Sequence, residues 1–94
     1  MPMISLRANP NRTFLPEGTR VYSHTSKCNG IIVFVDANSI HPYGIYFDMD
    51  FSYTAYWHSN KMITCLGLPN IEELLTHECN LIRAIGRQQF NNKE

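Results

Sequence analysis

The chain lacks the features that mark most membrane and secreted proteins. Its longest unbroken apolar run, residues 31–35, is far shorter than the roughly 18 residues of a membrane span. Its three cysteines, Cys28, Cys65 and Cys79, form no CxxC pair and no even framework, which argues against structural disulfides. The N-terminus has no basic stretch before an apolar core, so it does not read as a signal peptide. We therefore expect a cytoplasmic protein with reduced thiols and no membrane span.

The chain also lacks an excess of charge of either sign. Eight Lys and Arg balance eight Asp and Glu, and affinity for phosphate comes mainly from clustered basic side chains. The net charge therefore argues against a dedicated nucleic-acid binder. The balance hides an asymmetry, since residues 1–35 are basic and residues 36–60 contain three aspartates with no Lys or Arg. A small basic face remains the alternative to scattered solubility charge.

Recognisable catalytic and cofactor motifs are absent. The five glycines fit neither GxGxxG nor a P-loop, and there is no GxSxG elbow. The histidines and cysteines lack the paired spacing of a structural zinc site. Asp48 and Asp50 could hold a divalent ion or polarise a water, but no third ligand or base lies at a recognisable spacing. We expect a non-enzymatic protein with no metal or cofactor, and a small hydrolase based on these two aspartates is the alternative.

What the chain does contain, over residues 17–67, is a series of short β-rich runs bounded by turn residues. The predicted strands are residues 19–24, 31–35, 43–48, 53–58 and 62–66. Asn29-Gly30 predicts a hairpin turn, and Ser59-Asn60 predicts a second tight turn. Short connections favour antiparallel neighbours and hence a meander. Residues 1–16 hold three prolines and are predicted to form a partly ordered leader with one short strand around Ile4 to Leu6.

After Gly67 the apolar residues recur at helical spacing. Asn70 and Glu73 have the N-cap and N3 spacing of a capping box. The pattern predicts one C-terminal helix within residues 68–87, packed on the β region as part of the same domain. Gly86 predicts fraying at its end, and residues 88–94 are predicted to be a polar tail.

Four of the β runs carry a resemblance to known folds. They are Gly18-Thr19-Arg20-Val21-Tyr22, the Gly-led run 29–36, the run 43–48 and the run that contains Trp57. Their succession resembles the small SH3-like barrels of the Tudor and KOW type over about half of the chain. The acidic-glycine turn usual after the third strand is replaced here by Asp48-Met49-Asp50-Phe51-Ser52. The resemblance implies a binding module rather than an enzyme.

These patterns together predict an α+β fold. Its sheet is a small five-stranded antiparallel SH3-like barrel or bent meander, closed or flanked by one C-terminal helix. An OB-like barrel is the alternative topology.

Seven aromatic residues lie within positions 43–57. Strand parity places Tyr43, Phe47, Tyr53 and Trp57 on apolar faces and leaves other rings on the opposite faces. Ordinary packing explains such crowding, and so does an amphipathic patch that anchors a partner. The candidate partner-binding residues are Arg20, Tyr22, His24, Tyr46, Tyr56 and His58.

We therefore expect a small intracellular adaptor or inhibitor that acts through protein–protein contacts. Short, neutral, motif-poor chains of this build are common among phage and mobile-element accessory proteins. The alternative is a nucleic-acid-binding barrel that uses the aromatic face together with Arg7, Arg12, Arg20 and Lys27.

Overall fold

The structure, a computed structural model, describes residues 13–91 as a five-stranded antiparallel sheet followed by two helices. A 3-10 helix, Asn60–Met62, joins the last two strands. The predicted α+β class, with five antiparallel strands and a C-terminal helix, is confirmed at this level. The elements are β1 (Arg20–Ser23), β2 (Cys28–Val35), β3 (Tyr43–Phe47), β4 (Tyr56–His58), β5 (Ile63–Gly67), α1 (Ile71–Leu75) and α2 (Asn80–Asn91).

The strand order, β4-β3-β2-β1-β5, departs from a simple meander at its last strand. The first four strands pair in succession, but β5 returns to β1, with Tyr22 opposite Thr64 and Ser23 opposite Ile63. The 3-10 helix makes this return possible, because the Met62 amide donates to the Ser59 carbonyl at 3.1 Å and reverses the chain. The predicted tight turn at residues 59–60 is therefore a longer helical turn.

The predicted Asn29-Gly30 hairpin turn is wrong, because both residues lie inside β2. The turn comes earlier, where Lys27 adopts a positive φ of 56° and its amide donates to the Ser23 carbonyl at 2.7 Å. Gly30 serves a different purpose. A Cβ there would lie 2.6 Å from the Tyr46 carbonyl oxygen, so β3 can pair this closely with β2 only because glycine has no side chain.

The sheet buries an apolar cluster on each of its two faces. The first, on what we call the inner face, has the half-buried Phe14 and Leu15 packed against it. The second, which we call the helix face, carries α1 and α2. Inner-face residues are Val21, Ile32, Tyr43, Ile45, Phe47 and Ile63. Helix-face residues are Ile31, Val33, Leu74, Cys79, Ile82 and Ile85.

A register shift in β2 sends two successive side chains to the same face. Ile32 pairs with Ile45 and Phe34 with Gly44, so Val33 is an extra residue on its strand. Val33 packs with the helix-face cluster. Phe34 shares that face, since its ring contacts Tyr46 there. If Ile32, Val33 and Phe34 alternated strictly, Phe34 would point toward the inner face with Ile32.

The single predicted helix is two helices, separated by residues 76–79. Asn70 caps α1 as expected, its Oδ1 accepting from the Glu73 amide at 3.3 Å. Side chains bond to backbone groups where α1 ends. Thr76 Oγ1 donates at 3.0 Å to the Glu72 carbonyl, which also accepts from the Thr76 amide, and His77 Nδ1 accepts from the Cys79 amide at 3.0 Å. The break allows both helices to pack on β2.

Gly86 does not mark fraying; it is buried where α2 crosses α1. A Cβ at Gly86 would lie 2.8 Å from Leu74 Cβ and 3.1 Å from the Leu75 backbone nitrogen. The close approach of the two helices therefore requires glycine at this position.

Helix α2 continues to Asn91, so residues 88–91 of the predicted tail are helical. Residues 92–94, the predicted strand around Ile4 to Leu6, and the basic residues Arg7 and Arg12 lie outside the described part of the chain. Within residues 13–91, neither helix has the length and apolar character needed to traverse a bilayer.

Candidate functional site

A row of aromatic rings crosses the helix face beyond the area covered by α1 and α2. Trp57 stacks on Phe34 with ring centroids 6.1 Å apart and planes at 20°. Phe34 meets Tyr46 edge-on, and Tyr46 in turn lies 5.6 Å from Tyr53. Trp57 is 46% exposed and Phe34 38% exposed. We call these four residues, Phe34, Tyr46, Tyr53 and Trp57, the aromatic row.

Gly44 explains why Trp57 and Phe34 meet. They belong to β4 and β2, which lie on opposite sides of β3, and both pair with Gly44. Two strand spacings of about 4.8 Å would normally keep such rings apart. Because Gly44 has no side chain, the rings close over it, and a Cβ there would lie 3.1 Å from Phe34 and 3.3 Å from Trp57. The glycine thus builds a flat, exposed apolar surface on the sheet.

The opposite end of the row is half-buried and polar. Tyr53, at a positive φ of 52°, lies beside His77, with ring centroids 6.4 Å apart. Desolvation raises the pKa of the Tyr53 hydroxyl, and the charges of Glu78 and Cys79 raise it further. A tyrosine hydroxyl is protonated at neutral pH and can donate a hydrogen bond. The row combines an exposed apolar end with a hydrogen-bonding end.

The predicted face assignment of β4 is inverted. Trp57 is exposed on the helix face, whereas Tyr56 and His58 turn toward the inner face and contact Phe47. Tyr56 remains 45% exposed at the rim of that face, while His58 is only 3% exposed. The alternation within the strand is as expected. The apolar character of Trp57 suggests burial, but the ring is 46% exposed.

His58 is buried against the β1–β2 hairpin. Its Nδ1 donates to the Tyr56 carbonyl at 3.0 Å, which leaves Nε2 to accept from Ser23 Oγ at 2.8 Å. A serine and histidine at this distance can form a nucleophilic pair, but Ser23 is 0% exposed and no substrate could reach its oxygen. The pair therefore joins β4 to β1 across the inner face, and little of His58 is left accessible to a partner.

The remaining predicted residues are separate from the aromatic row, apart from Tyr46. Tyr22 and His24 contact each other edge-on at 5.2 Å, and His24 Nε2 lies 2.7 Å from Thr64 Oγ1. Arg20 donates to Asp48 at 3.0 Å and also to Glu73, so its charge is neutralised within the domain. The six predicted residues thus fall into several groups and do not form one patch.

The paired aspartates also have local partners. Asp48 accepts from Arg20, and Asp50 Oδ1 accepts from the Ser52 amide at 3.0 Å, which orders the β3–β4 loop. Within residues 13–91 no three His, Cys, Asp or Glu side chains gather closely enough to hold a metal ion.

An open concavity of about 580 Å³ lies along α1. No histidine, cysteine or aromatic ring lines it. Its lining residues are Asn70, Glu72, Glu73, Leu75 and Thr76.

Phe34 and Trp57 were missed as candidate binding residues. The available signal was Gly44, since a glycine inside an aromatic strand indicates close approach by neighbouring groups. The close approach of the two rings also depends on the β2 register shift, and no turn residue in the sequence indicates that shift.

Comparisons of the chain with family models, with curated proteins and with solved structures found no match.

Proposed function

We propose that the domain is a non-enzymatic protein-binding module, an adaptor or inhibitor, whose partner docks on the aromatic row. The observation that carries the proposal is the stacked, exposed pair of Phe34 and Trp57 over Gly44. Burying such rings in an interface contributes far more than burying scattered aliphatic side chains, and Trp and Tyr are the commonest interface anchors. Tyr53 at the other end of the row offers a hydroxyl donor for orientation.

The arrangement also has the rigidity that a binding surface needs. Trp57 is held by its stack on Phe34, and Tyr46 and Tyr53 pack against the helix-face cluster. Rings that are already ordered lose little conformational entropy when a partner covers them. The surface is therefore prepared for binding before the partner arrives.

Charge supports a protein partner over a nucleic acid. Eight Lys and Arg balance eight Asp and Glu over the whole chain, so there is no excess of basic charge for phosphate contacts. Arg20 is one of the basic residues that the nucleic-acid alternative requires, and it is already paired with two carboxylates. Nucleic-acid affinity depends on free basic side chains near the phosphates, and the row has two aspartates, Asp48 and Asp50, in the loop between its strands.

An SH3-like barrel is the finer fold that we propose for this sheet. Its support is the order β4-β3-β2-β1-β5 with a 3-10 helix between β4 and β5. The hydrogen bond from Ser23 to His58 joins two strands that are not sheet neighbours, which indicates strong curling. Curling of this kind is what closure of a small barrel requires.

The test exploits two neighbouring residues of β4 with nearly equal exposure and opposite faces. Peptides selected from a display library against the immobilised domain, in the presence of nuclease, serve as the probe. We expect Trp57→Ala to weaken peptide binding by about 1–3 kcal/mol, and Tyr46→Ala to act in the same direction. The matched variant Tyr56→Ala lies on the inner-face rim and should bind nearly as well as the wild type. Isothermal titration at low and high salt measures all four affinities.

The outcomes separate the competing readings. Equal affinity of the wild type and Trp57→Ala would refute the aromatic row as the binding surface. A larger loss with Tyr56→Ala would move the site to the inner-face rim. Binding of single-stranded oligothymidylate that falls steeply with salt would favour the nucleic-acid alternative. Trp57 is the chain's single tryptophan, so a blue shift of its emission locates the peptide directly.

A further inference from the structure

The two edges of the sheet differ in how they are protected. At one edge, β4 has only three residues, and short edge strands offer little to an incoming strand. At the other edge, β5 has five residues, and among the described residues no strand lies on its outer side. The sequence of β5, Ile63 to Gly67, contains no charged residue and no proline, which are the usual guards of an exposed edge.

The hydrogen-bond pattern shows which backbone groups face outward. The His24 amide donates to the Met62 carbonyl at 2.8 Å, so residues 24 and 62 form a hydrogen-bonded pair of the β1–β5 ladder. Bonded and non-bonded pairs alternate along an antiparallel ladder. Thr64, opposite Tyr22, therefore also bonds to β1, whereas Ile63 and Cys65 direct their N–H and C=O groups away from it.

These outward groups have an internal symmetry. Ile63 and Cys65 flank Thr64 on either side, so a two-fold axis through Thr64 brings Ile63 of one chain opposite Cys65 of another. All four outward groups of each strand then find partners, giving four backbone hydrogen bonds across the axis. Thr64 faces its own copy, and Thr–Thr pairs are favourable across strands.

We propose that β5 pairs antiparallel with β5 of a second copy of this chain, with Thr64 at the two-fold axis. Charge favours this occupant. The 3-10 helix before β5 carries Lys61, and α1 after it carries Glu72, which has no ion pair among the described residues, so an antiparallel copy brings the basic end of one strand toward the acidic end of the other. The chain as a whole has a net charge of zero, so two copies do not repel each other.

The first test uses proline at an outward position. Cys65→Pro removes an N–H that does not bond to β1, so the domain should fold while the dimer loses two of its four bonds. Analytical ultracentrifugation of the full chain should show a concentration-dependent dimer, with a dissociation constant about tenfold or more higher for Cys65→Pro. The matched control, Cys65→Ser, keeps the N–H and should dimerise as the wild type does.

The second test remains informative even if the proline variant does not fold. In a Cys65→Ser background, Thr64→Cys places two thiols across the axis at a non-bonded pair, where Cα atoms lie about 4.5 Å apart, within disulfide range. We expect rapid oxidative cross-linking of Thr64→Cys and none of Thr54→Cys, which lies in the β3–β4 loop of the same background.

Three results would overturn the proposal. One is a wild-type chain that stays monomeric at every concentration. This result overturns the proposal even if hydrogen exchange shows a protected Cys65 amide, because β5 would then be covered by the N-terminus of its own chain. Another is a dimer whose affinity is unchanged in a folded Cys65→Pro variant. The third is equal cross-linking at positions 64 and 54.

Discussion

The two faces of the sheet both bury an apolar cluster, yet the helix face also leaves large aromatic rings exposed. On the inner face Phe14 and Leu15 pack against the cluster, and a hydrogen bond between Ser23 and His58 joins β1 to β4. The helix face depends on α1 and α2, which cover Ile31 and Val33 but leave Phe34 and Trp57 in solvent. The comparison teaches that core and exposed surface can be successive residues of one strand.

The boundary between core and surface lies within β2. Val33 and Phe34 point to the same face because of the register shift, and only Val33 lies under the helices. A strand with strict alternation could not place two adjacent side chains in this way. The shift thus creates the exposed aromatic row without removing a residue from the core.

The largest expected effect comes from breaking the covered part of the helix face. Val33→Asp buries a carboxylate without a partner at a position 1% exposed, which should lower the free energy of unfolding by about 3 kcal/mol or more. The domain should be unfolded or barely folded at room temperature, as measured by circular dichroism and thermal denaturation.

The matched variant is Phe34→Asp, one residue along the strand. Its carboxylate can reach water, so the cost should be about 1 kcal/mol, arising from the lost stack on Trp57. Equal destabilisation by the two variants would contradict the placement of the core boundary between these residues.

The sequence predicted the composition of the fold better than its connections. Local patterns in the sequence predict most of the strands, the Asn70 cap and the helical apolar stripe. The structure confirms the five strands and the cap. The helix break at residues 76–79 depends on side chains that bond to backbone groups, and no periodicity reports this. The aromatic row depends on pairings between strands that are distant in sequence.

The glycines show the same limit. Asn29-Gly30 is a strong local turn signal, but Gly30 is needed where the Tyr46 carbonyl crosses it. Gly86 near a helix end indicates fraying by local rules, yet it is required by Leu74 of another helix. In both cases the residue satisfies a contact that only the assembled fold contains.

Alanine at two strand glycines sharpens the comparison of the faces at intermediate cost. Gly30→Ala on the inner face sets a Cβ 2.6 Å from a backbone oxygen and 2.7 Å from Ile45, so β2 and β3 must separate. We expect about 1–3 kcal/mol of destabilisation, measured by urea denaturation.

Gly44→Ala is the control on the helix face. Its Cβ would meet the Phe34 and Trp57 rings at 3.1–3.3 Å, and these exposed side chains can move. The loss of stability should be smaller than for Gly30→Ala, and the Trp57 emission should change because the stack opens. A Gly44→Ala variant that is the less stable of the two would contradict the view that the inner face is the rigid one.

The smallest expected effect concerns the charges that tie α1 to the sheet. Arg20 lies on β1 and bonds both Asp48, after β3, and Glu73 in α1, with all three side chains partly exposed. Exposed ion pairs contribute little, so Arg20→Met should lower the free energy of unfolding by less than about 1 kcal/mol, even though it removes two pairs.

Arg87→Met on the exposed side of α2 is the control, because Arg87 has no ion pair within the described residues. Urea denaturation at low and high salt separates the contributions: salt screens charge interactions, so the difference between Arg20→Met and the wild type should shrink as salt rises. A large, salt-independent loss would show that Arg20 supports the helix face mainly by packing its aliphatic stem.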